Sequence, residues 1–369
     1  MSVEIFVEFQ EALYNNHDVD ETRVKDCPTF IVDSVLYAVK IRPLSIDRIC
    51  ELCLRFSKDY LFSRKLLKKG IMECVPMIYR LYKLGLFQIT EIVEHLKKFK
   101  RAFPCLYFST SYDMFNDINV HSFIDSYLFY EYYENSCLEE FLLYGYSIGS
   151  LEYSIKYDDD KTLSNLLNDP CFDKKKGFDI SNFEWTIMTD CPSLISASAF
   201  FGSINCFKLL LLNGFDIDEQ TKVNCFASGN TDLIHMLGPL SADILQTTLV
   251  ISQKYCHSSL YEWLIESSGL KRNSYCNYYN LYDIILQAEK GDIQSIVVPG
   301  QLHPICFFFE QDNFLVVDYL IKKKVSFPEN QSNCLALISA IQNNKLEYID
   351  VLCNLGANIN SIDKDSKFY

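Results

Sequence analysis

The feature that most limits how this chain can fold is a spacing of small and apolar residues that recurs after position 150. From Leu337, Ala340 and Ile341 follow three and four positions on, Asn344 seven, Ile349 twelve, Leu352 and Cys353 fifteen and sixteen, and Gly356 nineteen. Ile195 opens the same series with Ser198, Ala199, Gly202, Phe207, Leu210, Leu211 and Gly214, and Leu151 opens it with Ser154, Ile155, Asp158, Leu163, Leu166 and Leu167. Small residues at plus three and four let one helix lie close to a neighbour, and Gly, Asn or Asp at plus seven permits a tight turn. The later aliphatic triplet forms the buried stripe of a second, antiparallel helix, which Gly at plus nineteen ends in a left-handed conformation. Such a pair cannot bury its apolar side alone. It must lean on copies of itself, so the spacing predicts a stack of helix pairs.

Length and composition agree with that reading. At 369 residues the chain is too long for one helical core. Hydrophobic residues make up 49%, while 13 Gly and 10 Pro are too few to punctuate a many-stranded sandwich or barrel, so the expected class is all-α. Residues 1–146 read as a helical N-terminal domain: apolar positions recur at helical spacing over Ile5 to Leu13, Phe30 to Ile41, Ile46 to Phe56, Met77 to Leu86 and Ile89 to Phe99, with Pro43 separating the second from the third. A Tyr- and Phe-rich segment, Phe123 to Tyr146, follows. Gly145 and Gly149 bracket the change of pattern, and residues 147–369 carry the repeats.

Two of the repeat ends carry a family likeness. Leu352-Cys353-Asn354-Leu355-Gly356-Ala357-Asn358-Ile359-Asn360-Ser361-Ile362-Asp363 resembles the end of an ankyrin repeat, and Leu210-Leu211-Leu212-Asn213-Gly214-Phe215-Asp216-Ile217-Asp218 is a second instance. The run from Leu194 to Lys208, then Ala227-Ser228-Gly229-Asn230, then Tyr261-Glu262-Trp263-Leu264-Ile265, resembles the divergent ankyrin proteins with the domain of unknown function 3447, expanded in protists such as trichomonads. Phe30 to Leu52, with Ala38-Val39-Lys40-Ile41-Arg42-Pro43, is similar to the helical region preceding the repeats in those proteins. The resemblance implies an ankyrin-repeat α-solenoid of six or seven divergent repeats, with a unit of about 33 residues. Further copies anchor at Lys222 with Gly229 and Ile234, near Leu249 with Leu264 and Ile265, at Ile284 with Ala288 and Gly291, and at Ile305 with Val317, Leu320 and Ile321. Three departures stand out: a lysine at the first of these further anchors, a short interval from Ile284 to Ile305, and Pro192 three positions before Ile195 where the family places Pro immediately before the anchor.

The formal net charge of −14 opposes a nucleic-acid partner, because phosphate neutralisation needs a basic face. The basic clusters at Lys97, Lys98, Lys100 and Arg101, at Lys174 to Lys176, and at Lys322 to Lys324 read as solvated helix ends and loops. Fifteen cysteines, odd in number and scattered singly through apolar stretches, read as reduced buried thiols. No positive segment followed by an apolar one opens the chain, and no apolar run of about 18 residues occurs. An intracellular, cytoplasmic protein without a membrane span is expected, in which the sequon Asn330-Gln331-Ser332 is inert.

Catalytic and ligand-holding patterns are missing from the sequence. No Gly-x-Gly-x-x-Gly or Gly-x-x-x-x-Gly-Lys-Ser/Thr loop is present to cradle a phosphate. Cys50-Glu51-Leu52-Cys53 could form half a zinc site or a redox pair, but it has no second pair and sits on an amphipathic helix. His17, His95, His121, His235, His257 and His303 lie far apart. Cys256-His257 could be a nucleophile and its base, although chain neighbours on a helix do not face each other. Asp158-Asp159-Asp160 reads as a solvated turn more than a cation site, and Tyr127-Leu128-Phe129-Tyr130-Glu131-Tyr132-Tyr133 as core joining the two domains or as a binding surface.

The expectation is therefore a non-catalytic scaffold mediating protein–protein interaction, with no cofactor and no metal, no identified partner-binding residue, and a protein partner with a basic surface. Binding would use a concave face of hairpin tips and first helices. Two alternatives stand beside it: a two-module adaptor recruiting a client to ubiquitin-transfer or trafficking machinery, and an enzyme with a site in the N-terminal helical domain.

Overall fold

Seven of the described helices begin where the sequence supplies a side-chain oxygen for the first open N–H groups. Asp59 accepts from the amides of Leu61 and Phe62, Ser150 from Tyr153, Asp159 from Thr162, and Ser193 from Ser196. Asp218 accepts from Thr221, Asn230 from Asp232 and Leu233, and Ser241 from Ile244. Ser193 is thus the cap where Pro192 left the start of the helix open. The structure is a computed structural model that describes residues 3–20, 24, 28–88, 90–92, 138–181, 183–186, 188, 192–270, 280–289, 305, 308, 314–323, 337, 340, 341 and 346–354. Among the described residues it is all-helical, with no strand or sheet and one isolated bridge between Gly177 and Ser193. No helix among them is long and apolar enough to cross a membrane.

In chain order the elements are α1 (Val3–Tyr14), α2 (Pro28–Ile41), a 3-10 turn (Pro43–Ser45), α3 (Ile46–Arg55), α4 (Tyr60–Glu73), α5 (Val75–Lys83) and α6 (Leu138–Tyr144). Helix pairs follow: α7 (Leu151–Lys156) with α8 (Asp160–Leu167), α9 (Leu194–Phe201) with α10 (Ile204–Leu212), α11 (Glu219–Ser228) with α12 (Thr231–His235), and α13 (Ala242–Lys254) with α14 (Ser258–Ser268). Then come α15 (Leu281–Glu289), α16 (Phe314–Lys322), a 3-10 turn (Leu346–Tyr348) and α17 (Ile349–Asn354). The chain divides into two compact units, Met1–Ser34 with Lys271–Tyr369 and Val35–Leu270. The expected boundary at 146/147 lies inside the second unit, where the Lys156 ammonium donates to the Tyr144 carbonyl across it.

In the first unit α1 packs against α15 and α16. Phe6 meets Phe30 edge-on at 4.8 Å, and the Gln10 amide donates to Ser34 Oγ while its oxygen accepts from the Leu281 N–H. The buried polar group is thereby satisfied at both ends. The anchors Ile284, Ile305 and Leu337 are buried here; Gly291, Asn344 and Gly356 lie outside the described residues.

In the second unit α3 and α4 pack on α5, and α5 on α6. Helix α4 does not figure among the sequence-predicted helices. Its interior Gly70 weakens the helical signal, yet a Cβ there would come within 2.6 Å of Ile78 Cδ1, so the glycine lets α4 and α5 close up. Most of the helix expected at Ile89 to Phe99 lies outside the described residues.

The helix pairs stack in chain order: α7 packs on α9, α9 on α11 and α11 on α13, with α8 against α10. The turn inside each pair is made by one residue of positive φ, Asp158, Gly202, Gly229 and Cys256 in succession. Each stands seven after its anchor, Leu151, Ile195, Lys222 and Leu249. The last three turns are 27 residues apart, shorter than the expected 33, because only residues 213–218 and 236–241 link one pair to the next. Between α8 and α9 the connection instead runs over residues 168–193, and its Phe178, Phe183 and Trp185 are buried.

Candidate functional site

The residues singled out in the sequence for chemistry sit mostly in the turns of this stack, where they bind one turn to the next. The Asp158 carboxylate accepts from the Asn205 side-chain amide at 2.8 Å and the Cys206 N–H at 2.9 Å, tying the first turn to the start of α10. Asn230 Nδ2 donates to the Gly202 carbonyl at 3.1 Å, and His257 Nε2 pairs with the Ala227 carbonyl at 2.9 Å. Asp159 caps α8 and also accepts from Thr162 Oγ1 at 2.6 Å, and these hydrogen bonds hold its carboxyl below the usual range. Asp160 opens α8. The acidic run is a linked and capped turn.

His257 is fixed from both sides. Arg42 Nη2 lies 3.2 Å from Nδ1, and since a guanidinium can only donate, Nδ1 accepts and the proton sits on Nε2, facing Ala227. Burial first, and the Arg42 charge second, push the imidazole down to about 3. Its ring fills the space over Gly229, where a Cβ would come within 2.2 Å of Cε1. Cys256 is buried at φ 53, and both nitrogens of its neighbour are engaged elsewhere, so the two do not form a nucleophile and base.

Cys50 and Cys53 are buried on α3 with Cys50 Sγ donating to the Met77 carbonyl at 3.9 Å, and burial pushes both thiols up. Metal binding and redox exchange both need the thiolate, which this environment disfavours. No group of three or more His, Cys, Asp or Glu among the described residues could hold a metal. His17 and His235 are exposed; His95, His121 and His303 lie outside the described residues, as do Lys97 to Arg101, Lys324 and the aromatic run from Tyr127 to Tyr133. Lys174 donates to the Asn213 carbonyl at 3.0 Å, Lys176 pairs with Glu152 and Asp179 at 3.3 Å each, and Lys323 lies 3.9 Å from Glu289.

One polar centre escaped the sequence reading. Lys156 and Glu184 form an ion pair at 2.9 Å with side chains 0% and 1% exposed. The ammonium also donates to the Tyr144 carbonyl at 3.1 Å and lies 3.6 Å from the Trp185 ring centroid, with Tyr146, Tyr157 and Phe201 around it. The other carboxylate oxygen accepts from the Trp185 and Thr186 amides at 3.1 and 3.3 Å. Burial holds Lys156 below the usual lysine range, with Glu184 acting in the opposite sense. The Arg80 guanidinium sits 5.7 Å from the Trp185 ring, bonded to Asp47 and the Leu143 carbonyl. Closed on every side named here, the pair works as a clasp between α7 and the long connection. Its signal in the sequence is a lysine five after the anchor, where the next two pairs carry Phe200 and Ala227.

Every residue of α9, a first helix, is buried, and the last turn is held by Tyr37 Oη on the Lys254 carbonyl and by Arg42 on His257. The first helices α11 and α13 also expose side chains, Glu219 and Gln220 on α11 and Gln246 and Thr247 on α13. Leu212, Met236 and Trp263, on or beside the second helices, are exposed. Comparison of the chain with protein-family models, with curated proteins and with solved structures finds no match.

Proposed function

We propose that the chain is a non-catalytic helical-repeat scaffold of the ankyrin type that binds another protein. The observation that carries this reading is the packing of α7, α9, α11 and α13 in chain order, with a left-handed turn residue seven after each anchor. In such an array each pair answers only to its neighbours, so outward side chains vary without disturbing the stack and become a recognition surface. The anchors Ile284, Ile305 and Leu337 extend the same reading to six or seven repeats, in keeping with the divergent ankyrin group that the sequence resembles. A protein with a basic surface suits the net charge of −14 better than a nucleic acid does. A reducing, cytoplasmic setting suits the eight described cysteines, none of which is disulfide-bonded.

The test is cross-linking of the intact chain in living cells, followed by reconstitution with the purified candidate. A single protein that binds saturably and is released unchanged supports the scaffold. Failure of every cross-linked protein to bind the purified chain sinks it.

A further inference from the structure

The 27-residue interval that separates the turns also aligns the second helices. Seven residues after Gly202, Gly229 and Cys256 stand Leu209 on α10, Met236 just past α12 and Trp263 on α14, so this position is large and apolar in three successive pairs. Met236 is 36% and Trp263 47% exposed, Leu209 is half-buried, and Leu212, one turn beyond it on α10, is 86% exposed. The equivalent residue of the first pair is Asn165, exposed and polar. An isolated exposed leucine needs no explanation, whereas a stripe kept in register over three repeats does. The first helices of these pairs, α9, α11 and α13, pack on one another in order, so the position recurs once in each stacked pair.

The charge beside the stripe selects the occupant. The same helices carry Asp232, Glu262 and Glu266 against Lys208 and His235, in a chain of net charge −14. A second copy would bring the same carboxylates and the same overall charge to the contact. We propose that Leu209, Leu212, Met236 and Trp263 form the docking stripe for an amphipathic helix of a partner protein, apolar on one face and flanked by Lys or Arg. This rests on the scaffold reading above and places the binding surface on the second helices, not on the expected face of hairpin tips and first helices.

The chain has two tryptophans, Trp185 4% exposed and Trp263 47% exposed, so an emission change on binding reports Trp263. The intact chain is titrated with a synthetic helical peptide of about 14 residues, roughly four turns, with Leu along one face and Arg at its margins. A second peptide of the same composition has its leucines scattered round the helix. The patterned peptide should shift emission to shorter wavelength and saturate, and the scattered one should not. Leu212→Ser with Met236→Ser should weaken binding at least about tenfold without moving the melting temperature. Asp232→Asn with Glu266→Gln should weaken it and flatten its salt dependence. Equal binding of the two peptides, or binding by neither, overturns the proposal, and so does an emission shift on concentrating the protein alone, which would make the occupant a second copy. If the cross-linked partner still binds the Leu212→Ser, Met236→Ser variant, the stripe fails while the scaffold stands. If the patterned peptide binds but no protein partner survives reconstitution, the scaffold reading fails instead.

Discussion

Acidification tests the linkage of the turns at its imidazole joint. His257 is held at about 3 in the folded chain, against 6.5 for an ordinary imidazole, by burial and by Arg42. Between those two values the unfolded chain takes up a proton that the folded chain refuses, so stability falls as pH falls, by up to about 1.4 kcal/mol per unit. At pH 5, some 1.5 units below the unfolded value, the loss relative to pH 7 is about 2 kcal/mol. Carboxyls held low in the folded state, Asp159 and Glu139, contribute stability that disappears only as pH falls through still lower values, outside this interval. Glu11, raised by burial, acts with the opposite sign and belongs to the other unit. The assay is urea unfolding followed by tryptophan emission, since Trp185 and Trp263 both lie in Val35–Leu270, at pH 7 and pH 5. His257→Gln keeps an N–H donor for the Ala227 carbonyl but cannot titrate. It should be less stable than the wild type at pH 7 and nearly insensitive to the change. An equal loss in both proteins would refute the assignment of the pH dependence to this ring.

Other substitutions probe the stack at single contacts. Leu210, 0% exposed on α10, should cost about 2–5 kcal/mol when cut to alanine, and an unchanged melting temperature would place it outside the core. Gly214→Ala meets open space at φ 82 and should cost roughly 1 kcal/mol from backbone strain alone. Gly229→Ala adds a clash with the His257 ring to the same strain, so equal costs by denaturant titration would contradict the packing. Lys156→Met leaves Glu184 buried without its cation and should cost about 3–5 kcal/mol, much of which the added change Glu184→Gln should restore. A double variant as unstable as the single one would mean that volume, not charge, decides there.

The turns were the most legible part of this chain because each obeys a local steric rule. A residue seven after an apolar anchor must reverse the chain, and Asp158, Gly202 and Gly229 are of types that tolerate positive φ. Cys256 fills the same role and gives no such signal; only its place in the series marks it. Lys222 was a poor anchor by side chain, and the structure leaves it half-buried between Thr221 and Val223, which are buried. The interval of about 33 residues comes with the family likeness, whereas the turns at Gly202, Gly229 and Cys256 stand 27 residues apart because the links between their pairs are short. Lys156 and Glu184 were illegible for a different reason. They are 28 residues apart, the second lies in an irregular connection, and no periodicity couples a helix to such a segment.

That connection accounts for how the stack can begin at α7 without a sticky end. The first pair of any helical array has a neighbour on one side only, and its other side needs a cover of its own. Here residues 168–193 supply part of it: Phe178 packs between Tyr146 and Phe201 at 5.5 and 5.8 Å, and Phe183 meets Phe141 of α6 at 5.8 Å. Lys176 holds the same connection to Glu152 of α7. A purely apolar cover could slide along α7. The Lys156–Glu184 pair cannot, because moving Glu184 by one residue would strand a buried ammonium and a buried carboxylate. The ion pair is therefore best understood as fixing the position of the cover, a contribution to uniqueness more than to net stability, since burying both charges offsets most of their attraction.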